Sequence, residues 1–361
     1  MSIKLIKDSF YIKLAYQQAE INIGSTGKNP SVGALIVKNN SVISSGYTSL
    51  NGRPHAEVNA FKKKLNYKNS DLYVTLEPCS HYGQTPPCTK KIISKKINRV
   101  IYSINDIDPR SKNLASRILT KKKIKTNKFT PKNIGRDFYK SYFTKFSKEL
   151  PFTDCRLAVS NDFFSINKKK KWITNKKSRK LANYIRSKYD CLLTTSKTIN
   201  DDNPLLNCRI EGLEKKTPDL IILDRLFNVK KSSIIFNNLK RKIFIFTYRN
   251  DLSKEIFFKK KSIKIIKLKK NKSYTTELEN IFYRIKKLGF NRILVETGVT
   301  FLDQLIKNNF IKNFYLFKSA TNLGVNGLNK FNSQFFKKIN LNEENKIKVN
   351  LNEDCLYKVK I

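Results

Sequence analysis

Apolar and polar positions along the chain change their period several times, and each change marks an element. Residues 9–21 (SFYIKLAYQQAEI) carry apolar side chains at helical spacing, and 32–47 (VGALIVKNNSVISSGY) read as a hairpin turning at Asn39-Asn40. A helix is predicted over 56–65, a strand at 71–77, a helix at 88–96, a strand at 99–104 and a helix at 114–123. This alternation predicts an α/β domain with its sheet sandwiched between helices. A further helix over 137–150 ends at Pro151, and a second series of strands starts there: 152–160, 191–195, 219–224, 242–248, 292–296 and 313–319, with helical stretches between several of them. The boundary is placed near 148–151, giving domains 1–148 and 149–361, both of α/β class. No internal repeat is visible, and the Lys/Asn-rich segments read as loops inside folded domains.

Composition sharpens this picture only in places. A 42.0 kDa chain with 40% hydrophobic residues has material for two cores. No run approaches the roughly 18 apolar residues of a membrane span, and MSIKLIKDSF lacks an apolar signal core, so a cytosolic protein is expected. Six cysteines at irregular spacings do not form a disulfide framework in a reducing compartment, so neighbouring pairs point to metal binding or catalysis. The formal charge of +45 suggests nucleic acid, but the lysine runs at 62–64, 121–123, 168–171 and 259–261 are spread through the chain instead of marking one face. Read as a solvated surface, the charge still favours anionic small substrates through long-range steering.

The chemistry concentrates where residues are scarce. Only two histidines occur, His55 and His81, and both fall near Cys79 and Cys88. His55 opens the motif His55-Ala56-Glu57 at a predicted helix start, Cys79 follows a strand and Cys88 begins a helix. His/Cys/Cys supplies the three protein ligands of a catalytic zinc with an open fourth position, and helix N-termini favour thiolates. Water bound there is acidified to a pKa of about 7, and Glu57 stands where it can shuttle the proton to a leaving amine. A structural zinc with His81 as fourth ligand is the plainer alternative, but His81 lies only two residues from Cys79, a cramped spacing for independent ligands, and that site gives Glu57 no task. A nucleic-acid base deaminase with a basic accessory domain, and a nonenzymatic RNA-binding protein with structural zinc, are the rival functional readings.

His-x-Glu matches the first half of the zinc deaminase signature, whose cysteines are normally two residues apart; here eight residues separate Cys79 from Cys88. The loop Glu77-Pro78-Cys79-Ser80-His81 with Gly83-Gln84-Thr85-Pro86-Pro87-Cys88, the stretch Asn29-Pro30-Ser31-Val32-Gly33, and Trp172-Ile173-Thr174 with Glu296-Thr297-Gly298 together resemble the bifunctional deaminase/reductase family of riboflavin biosynthesis over nearly the full length. The resemblance implies a cytidine-deaminase-like three-layer α/β/α domain followed by a dihydrofolate-reductase-like α/β domain. It implies zinc on His55, Cys79 and Cys88, Glu57 as proton shuttle, and Asn29, His81 and Asp106 around a phosphorylated pyrimidine. In the second domain it implies NADPH near Ala158, Trp172, Thr198, Asp202 and Gly298, and substrate near Arg186, Leu206, Arg209 and Glu296. A homo-oligomer that binds neither membrane nor nucleic acid is expected.

Without the resemblance these second-domain residues have plainer readings. A lone Trp is usually core, arginines are usually solvated, and the 292–306 stretch reads as an ordinary strand-to-helix turn in which Gly298 permits close backbone approach and Thr300 caps the helix. Neither G-x-G-x-x-G nor a P-loop is present. The chain also departs from the family's pattern: DIDPRSKN (106–113) lacks the usual glycines, Phe163 stands where a glycine is usual, Lys168–Lys171 replace a Gly/Ser loop, Arg156 replaces a lysine and Arg225 a serine. No serine's role is carried onto Lys170 or Arg225. Asp202 and Glu296 are the candidate proton sources for the reduction, which is expected to be active because Arg186, Asp202, Arg209 and Glu296 persist.

Overall fold

Asn39 and Asn40 both adopt the left-handed conformation (φ 49° and 62°) that a two-residue hairpin requires, and they join β1 (Gly33–Lys38) to β2 (Ser41–Tyr47). The structure, a computed structural model, describes residues 3–131, 134–237, 240–271, 273–330 and 341–361, and divides into two compact units, Met1–Glu149 and Leu150–Ile361.

In the first unit β1 and β2 join β3 (Asp71–Leu76), β4 (Arg99–Ile104) and β5 (Lys125–Lys128) in one sheet of order β2-β1-β3-β4-β5, antiparallel at β2/β1 and β1/β3 and parallel thereafter. Two glycines show how helices cover both faces. A Cβ on Gly33 would lie 1.9 Å from Ala15 O of α1 (Ile3–Glu20), and one on Gly46 would lie 2.3 Å from Ala56 O of α2 (Ala56–Ala60). Gly46 is paired with Ala34, the neighbour of Gly33, so the two glycines point to opposite faces. Helices α1 and α2 therefore sandwich the sheet, and α3 (Cys88–Ser94) and α4 (Ala115–Lys121) continue the α2 layer. A buried ion pair fastens α1 to the sheet: Asp8 receives Arg99 of β4 at 3.0 Å and the Tyr73 hydroxyl at 2.7 Å. Removing one partner of such a pair costs about 3–5 kcal/mol.

The second unit holds β6 (Phe152–Val159), β7 (Phe164–Asn167), β8 (Cys191–Thr195), β9 (Asp219–Leu223), β10 (Ile243–Thr247), β11 (Lys264–Lys267), β12 (Arg292–Val295), β13 (Asn313–Lys318), β14 (Gly327–Lys330) and β15 (Cys355–Lys360). Eight of them form a sheet of order β11-β10-β9-β8-β12-β6-β13-β15, parallel except for β15, while β7 and β14 pair separately. Leu192 packs into one core and Leu193 into the other, so the sheet is buried on both faces, as its nearly continuous apolar strands require. On one face lie α10 (Tyr274–Lys287) and α11 (Val299–Lys307); the other carries α7 (Lys176–Arg186), α8 (Ser196–Asp202) and α9 (Leu252–Lys260).

Three sequence expectations change. The helix predicted over 56–65 stops at Ala60, and the Tyr67 hydroxyl, donating to Lys63 O at 2.7 Å, holds the following lysines in a loop. The predicted 137–150 helix is broken into α5 (Gly135–Phe138), α6 (Lys140–Phe143) and a 3₁₀ turn at Thr144–Phe146. Tyr139 sits at the break because its hydroxyl is anchored on Thr75 of β3 at 2.6 Å, a tertiary bond that outweighs helical continuity. Thr300 is not the cap of α11: extended Gly298 takes that position and Thr300 lies inside the helix. Strands β5, β7, β11, β14 and β15 were not legible, since the first is polar and solvent-facing (Lys-Thr-Asn-Lys) and all lie at sheet margins or outside the main sheets.

Candidate functional site

His55 is the extended residue that opens α2, Cys79 follows β3, and Cys88 is the first residue of α3. Their ligand atoms lie within 4.8 Å of one another, the one such group of three or more His, Cys, Asp or Glu donors among the described residues. His55 Nδ1 stands 3.4 Å from Cys88 Sγ and 3.6 Å from Cys79 Sγ, and the Cys88 N–H donates to Cys79 Sγ at 3.2 Å. The hydrogen bond from the Cys88 thiol, helped by His55 and that N–H, pushes Cys79 down to about 4, into the thiolate form that binds metals. Cys88, sharing its proton with Cys79 and buried, moves the other way. Two sulfurs and one imidazole nitrogen are a soft donor set suited to zinc, so the residues fit that ion. Glu57 is 4% exposed beside this cluster, and burial, then the Cys79 thiolate, push its carboxyl up to about 7.

His55, Glu57 and Cys79 line a cavity of about 470 Å³ that also meets Asn29, His81, Asp106 and Tyr142. The resemblance's metal, shuttle and pyrimidine positions thus converge on one place. Asn29 donates to Gly52 O at 2.9 Å. Burial raises the carboxyl of Asp106, which accepts from the Tyr142 hydroxyl at 2.9 Å. Glu77 organises the wall behind: it accepts the backbone N–H groups of Asp106, Asn113 and Ala115, each at 3.1 Å, joining the end of β3 to the loop after β4. Lys28, Arg53, Arg110 and Lys145 give the cavity a cationic rim, although Arg110 is paired with Asp108. Glu77, Tyr142, Arg53 and Lys145 were missed as site residues; Glu77 was quoted within the motif, whereas Tyr142 and Lys145 had been absorbed into the expected helix.

In the second unit Glu296, at the end of β12, accepts Arg186 at 2.8 Å through both Nε and Nη2 and Arg156 at 2.5 Å. Burial alone would raise its pKa, but the two guanidinium groups together hold it well below the usual carboxylate range. Arg186 also donates to Asn207 O at 2.6 Å, so this arginine is committed to protein partners rather than solvated. Arg209 is exposed and paired with no carboxylate among the described residues. Leu206 is buried in a left-handed conformation (φ 50°), with its carbonyl accepting from Arg241 at 2.6 Å.

The ends of β8 and β12 bring three hydroxyls together: Thr195 Oγ1 lies 3.1 Å from that of Thr198 and 3.3 Å from that of Thr297, beside Gly298, where an added Cβ would meet nothing within 4 Å. Ala158 is half-buried on β6, and Asp202 is exposed at the end of α8. Trp172 is no core residue: it is 52% exposed, with Arg179 over its ring at 4.9 Å. Lys170 is exposed, its N–H bonded to Asn167. Arg225 pairs with Glu277 at 3.0 Å and stacks on Tyr274. Phe163, standing where the resemblance leads one to expect glycine, does adopt a left-handed conformation (φ 67°), with Lys318 over its ring.

A five-stranded sheet between helical layers, carrying a His/Cys/Cys cluster beside a buried glutamate, defines a zinc-deaminase class of domain, here followed by a largely parallel, reductase-type α/β unit. Residues 5–104 match the family model described as the cytidine and deoxycytidylate deaminase zinc-binding region, and 163–351 match the RibD C-terminal domain. The chain belongs to the RibD family. It is 32% identical to the riboflavin biosynthesis protein RibD of Aquifex aeolicus, with 88% of each chain covered, and 30% identical to that of Buchnera aphidicola, again with 88% of each. Among solved structures it superposes on a Thermotoga maritima diaminohydroxyphosphoribosylaminopyrimidine deaminase/5-amino-6-(5-phosphoribosylamino)uracil reductase with a TM-score of 0.82, 25% identity and 99% of each chain covered. Acinetobacter baumannii RibD gives 0.83 at 22% identity, again over 99% of each, which shows the shared fold.

Proposed function

We propose that this RibD-family chain is a bifunctional deaminase and reductase of riboflavin biosynthesis, and that residues 1–148 deaminate 2,5-diamino-6-(5-phosphoribosylamino)pyrimidin-4-one while 149–361 reduce the ribosyl side chain to ribityl with NADPH. The observation that carries the reading is the meeting of His55, Cys79 and Cys88 beside buried Glu57. Held by His55, Cys79 and Cys88, zinc would acidify a water for hydrolytic deamination. Glu57 accepts a proton at its carboxylate and delivers one to the departing amine; Asn29, His81 and Asp106 orient the pyrimidine.

Bound in the second unit, a nicotinamide cofactor would supply hydride to the sugar carbon. Gly298, with open space on its Cβ side, and the hydroxyls of Thr195, Thr198 and Thr297 suit close backbone approach and polar contact, and Ala158, Trp172 and Asp202 complete the cofactor's surroundings. Arg209 faces the phosphorylated substrate with Leu206, while Arg186 acts through Glu296, whose fixed charge orients the sugar end. The enzyme works in the cytosol as a homo-oligomer; among the described residues no helix is long and apolar enough to cross a membrane.

Ammonia release from the phosphoribosylated diaminopyrimidine, measured for zinc-loaded wild type and Glu57→Gln, tests the first half, and NADPH absorbance after deamination tests the second. Release by wild type alone, followed by NADPH loss, supports both. No release at full zinc occupancy, or salt-dependent RNA binding indifferent to Glu57→Gln, overturns the deaminase reading. Deamination without NADPH-dependent turnover overturns the reductase reading.

A further inference from the structure

Ser111 stands in the 106–113 stretch that lacks the glycines expected from the resemblance, and it is wholly buried. Its backbone is fixed by the turn around it: the N–H donates to Asp108 O at 2.9 Å and the carbonyl accepts from Leu114 N at 3.1 Å. The same loop hangs on Glu77 through Asp106, Asn113 and Ala115. Ser111 Oγ makes two contacts across to the metal-site loop. It accepts the Ser80 N–H at 3.2 Å, and it lies 2.7 Å from His81 Nδ1.

A hydroxyl carries one proton. The Ser80 N–H occupies an acceptor position on Ser111 Oγ, and the proton of Ser111 has one acceptor among the described residues, His81 Nδ1. If Nδ1 donated instead, a fully buried hydroxyl proton would be left unpaired, which costs more than reversing the bond. The bond therefore runs from Ser111 to His81. Nδ1 is an acceptor, and the neutral ring carries its proton on Nε2.

We propose that Ser111 is a positioning residue of the deaminase site, which locks His81 in the Nε2–H tautomer so that the ring presents a hydrogen-bond donor to an acceptor atom of the substrate, of the class of an exocyclic carbonyl oxygen on a pyrimidinone. His81 and Gly83 line the cavity that also contains Glu57 and Cys79, and with Nδ1 engaged by Ser111, Nε2 across the ring beside Gly83 is the nitrogen left for a ligand. The locked tautomer discriminates: a donor at Nε2 accepts a carbonyl-bearing ring and leaves an amine-bearing isostere facing an unpaired donor. The substrate part of this inference rests on the pyrimidine reading above; the direction of the Ser111–His81 bond does not.

The chain has two histidines, which makes the test direct. Zinc-loaded, uniformly ¹⁵N-labelled full-length protein is examined at mildly alkaline pH by two-bond ¹H–¹⁵N correlation, with His81→Asn to tell the rings apart. The wild-type His81 ring is expected to show a bare Nδ1 and a protonated Nε2; a protonated Nδ1 overturns the proposal, and neither result depends on substrate. In Ser111→Ala the tautomers are expected to mix, KM for the diaminopyrimidine to rise about three- to tenfold with a smaller change in kcat, and Ser111→Thr to restore both. An unchanged tautomer and KM in a folded, zinc-replete Ser111→Ala protein overturns it. Should Ser111→Ala not fold, the wild-type spectrum still decides the direction of the bond. Loss of deaminase activity in wild type with the Nε2–H tautomer present would instead strike the functional reading and leave the hydrogen-bond assignment standing.

Discussion

Glu57, beside the His/Cys/Cys cluster of the first unit, and Glu296, at the arginine cluster of the second, are almost equally buried at 4% and 5% exposure, yet the two carboxyls are driven in opposite directions. Burial and the neighbouring Cys79 thiolate raise Glu57 to about 7. Burial acts on Glu296 as well, yet Arg156 and Arg186 outweigh it and keep the carboxylate charged far below the ordinary range. Nearly equal burial thus gives a carboxyl whose pKa is raised toward neutrality in one place and one kept ionised at neutral pH in the other. The decisive difference is the charged company: a thiolate and an imidazole around Glu57, two guanidinium groups around Glu296. The first arrangement suits a shuttle. The second suits a strut that positions other residues.

The strongest way to break this contrast is to remove the metal site. Chelation of zinc, or Cys88→Ser, is expected to abolish deamination while leaving NADPH oxidation on the deaminated substrate intact; parallel loss of both would show that the centre supports the fold of the whole chain. Next, Glu57→Gln retains zinc and lowers the deamination kcat by about 10²- to 10⁴-fold, measured by ammonia release. A variant within a factor of three of wild type would mean that another group moves the proton.

Glu296→Gln attacks the other side and takes the carboxylate away from buried Arg186 and half-buried Arg156. Denaturant unfolding of the reductase unit should show a loss of about 3–5 kcal/mol. The same pair sets a pH dependence. The folded pKa of Glu296 lies below its ordinary value of 4.5, so its contribution is complete above that value and is lost as pH falls beneath it. Thermal melts taken downward from neutral pH should therefore show a decline for wild type that is shallower in Glu296→Gln, and identical slopes would refute the charged strut. The smallest effect belongs to Tyr142→Phe, which removes the hydroxyl from Asp106. A stability loss of about 1 kcal/mol and a few-fold rise in deaminase KM are expected, with reductase kinetics unchanged.

The His/Cys/Cys cluster was legible because its residue types are rare. Two histidines and two nearby cysteines at element ends leave few ways to be arranged, and His55, Cys79 and Cys88 do meet. The reductase side was far less legible, since arginine and lysine are everywhere in this chain. Position in the sequence does not tell solvated Arg209 from buried Arg186.

The sequence by itself determined the alternation of strands and helices, the hairpin at Asn39-Asn40, and the His55, Cys79 and Cys88 cluster with its carboxylate neighbour Glu57, because these depend on local period, turn chemistry and residue type. Only the tertiary structure decided that Tyr139 would break the last helix of the first unit and Tyr142 reach Asp106, that Ser111 would face His81, and that Arg156 would share Glu296 with Arg186. Each of these is a hydrogen bond between residues at least thirty positions apart, and its partner is set by how sheets and helices pack, which no local pattern encodes.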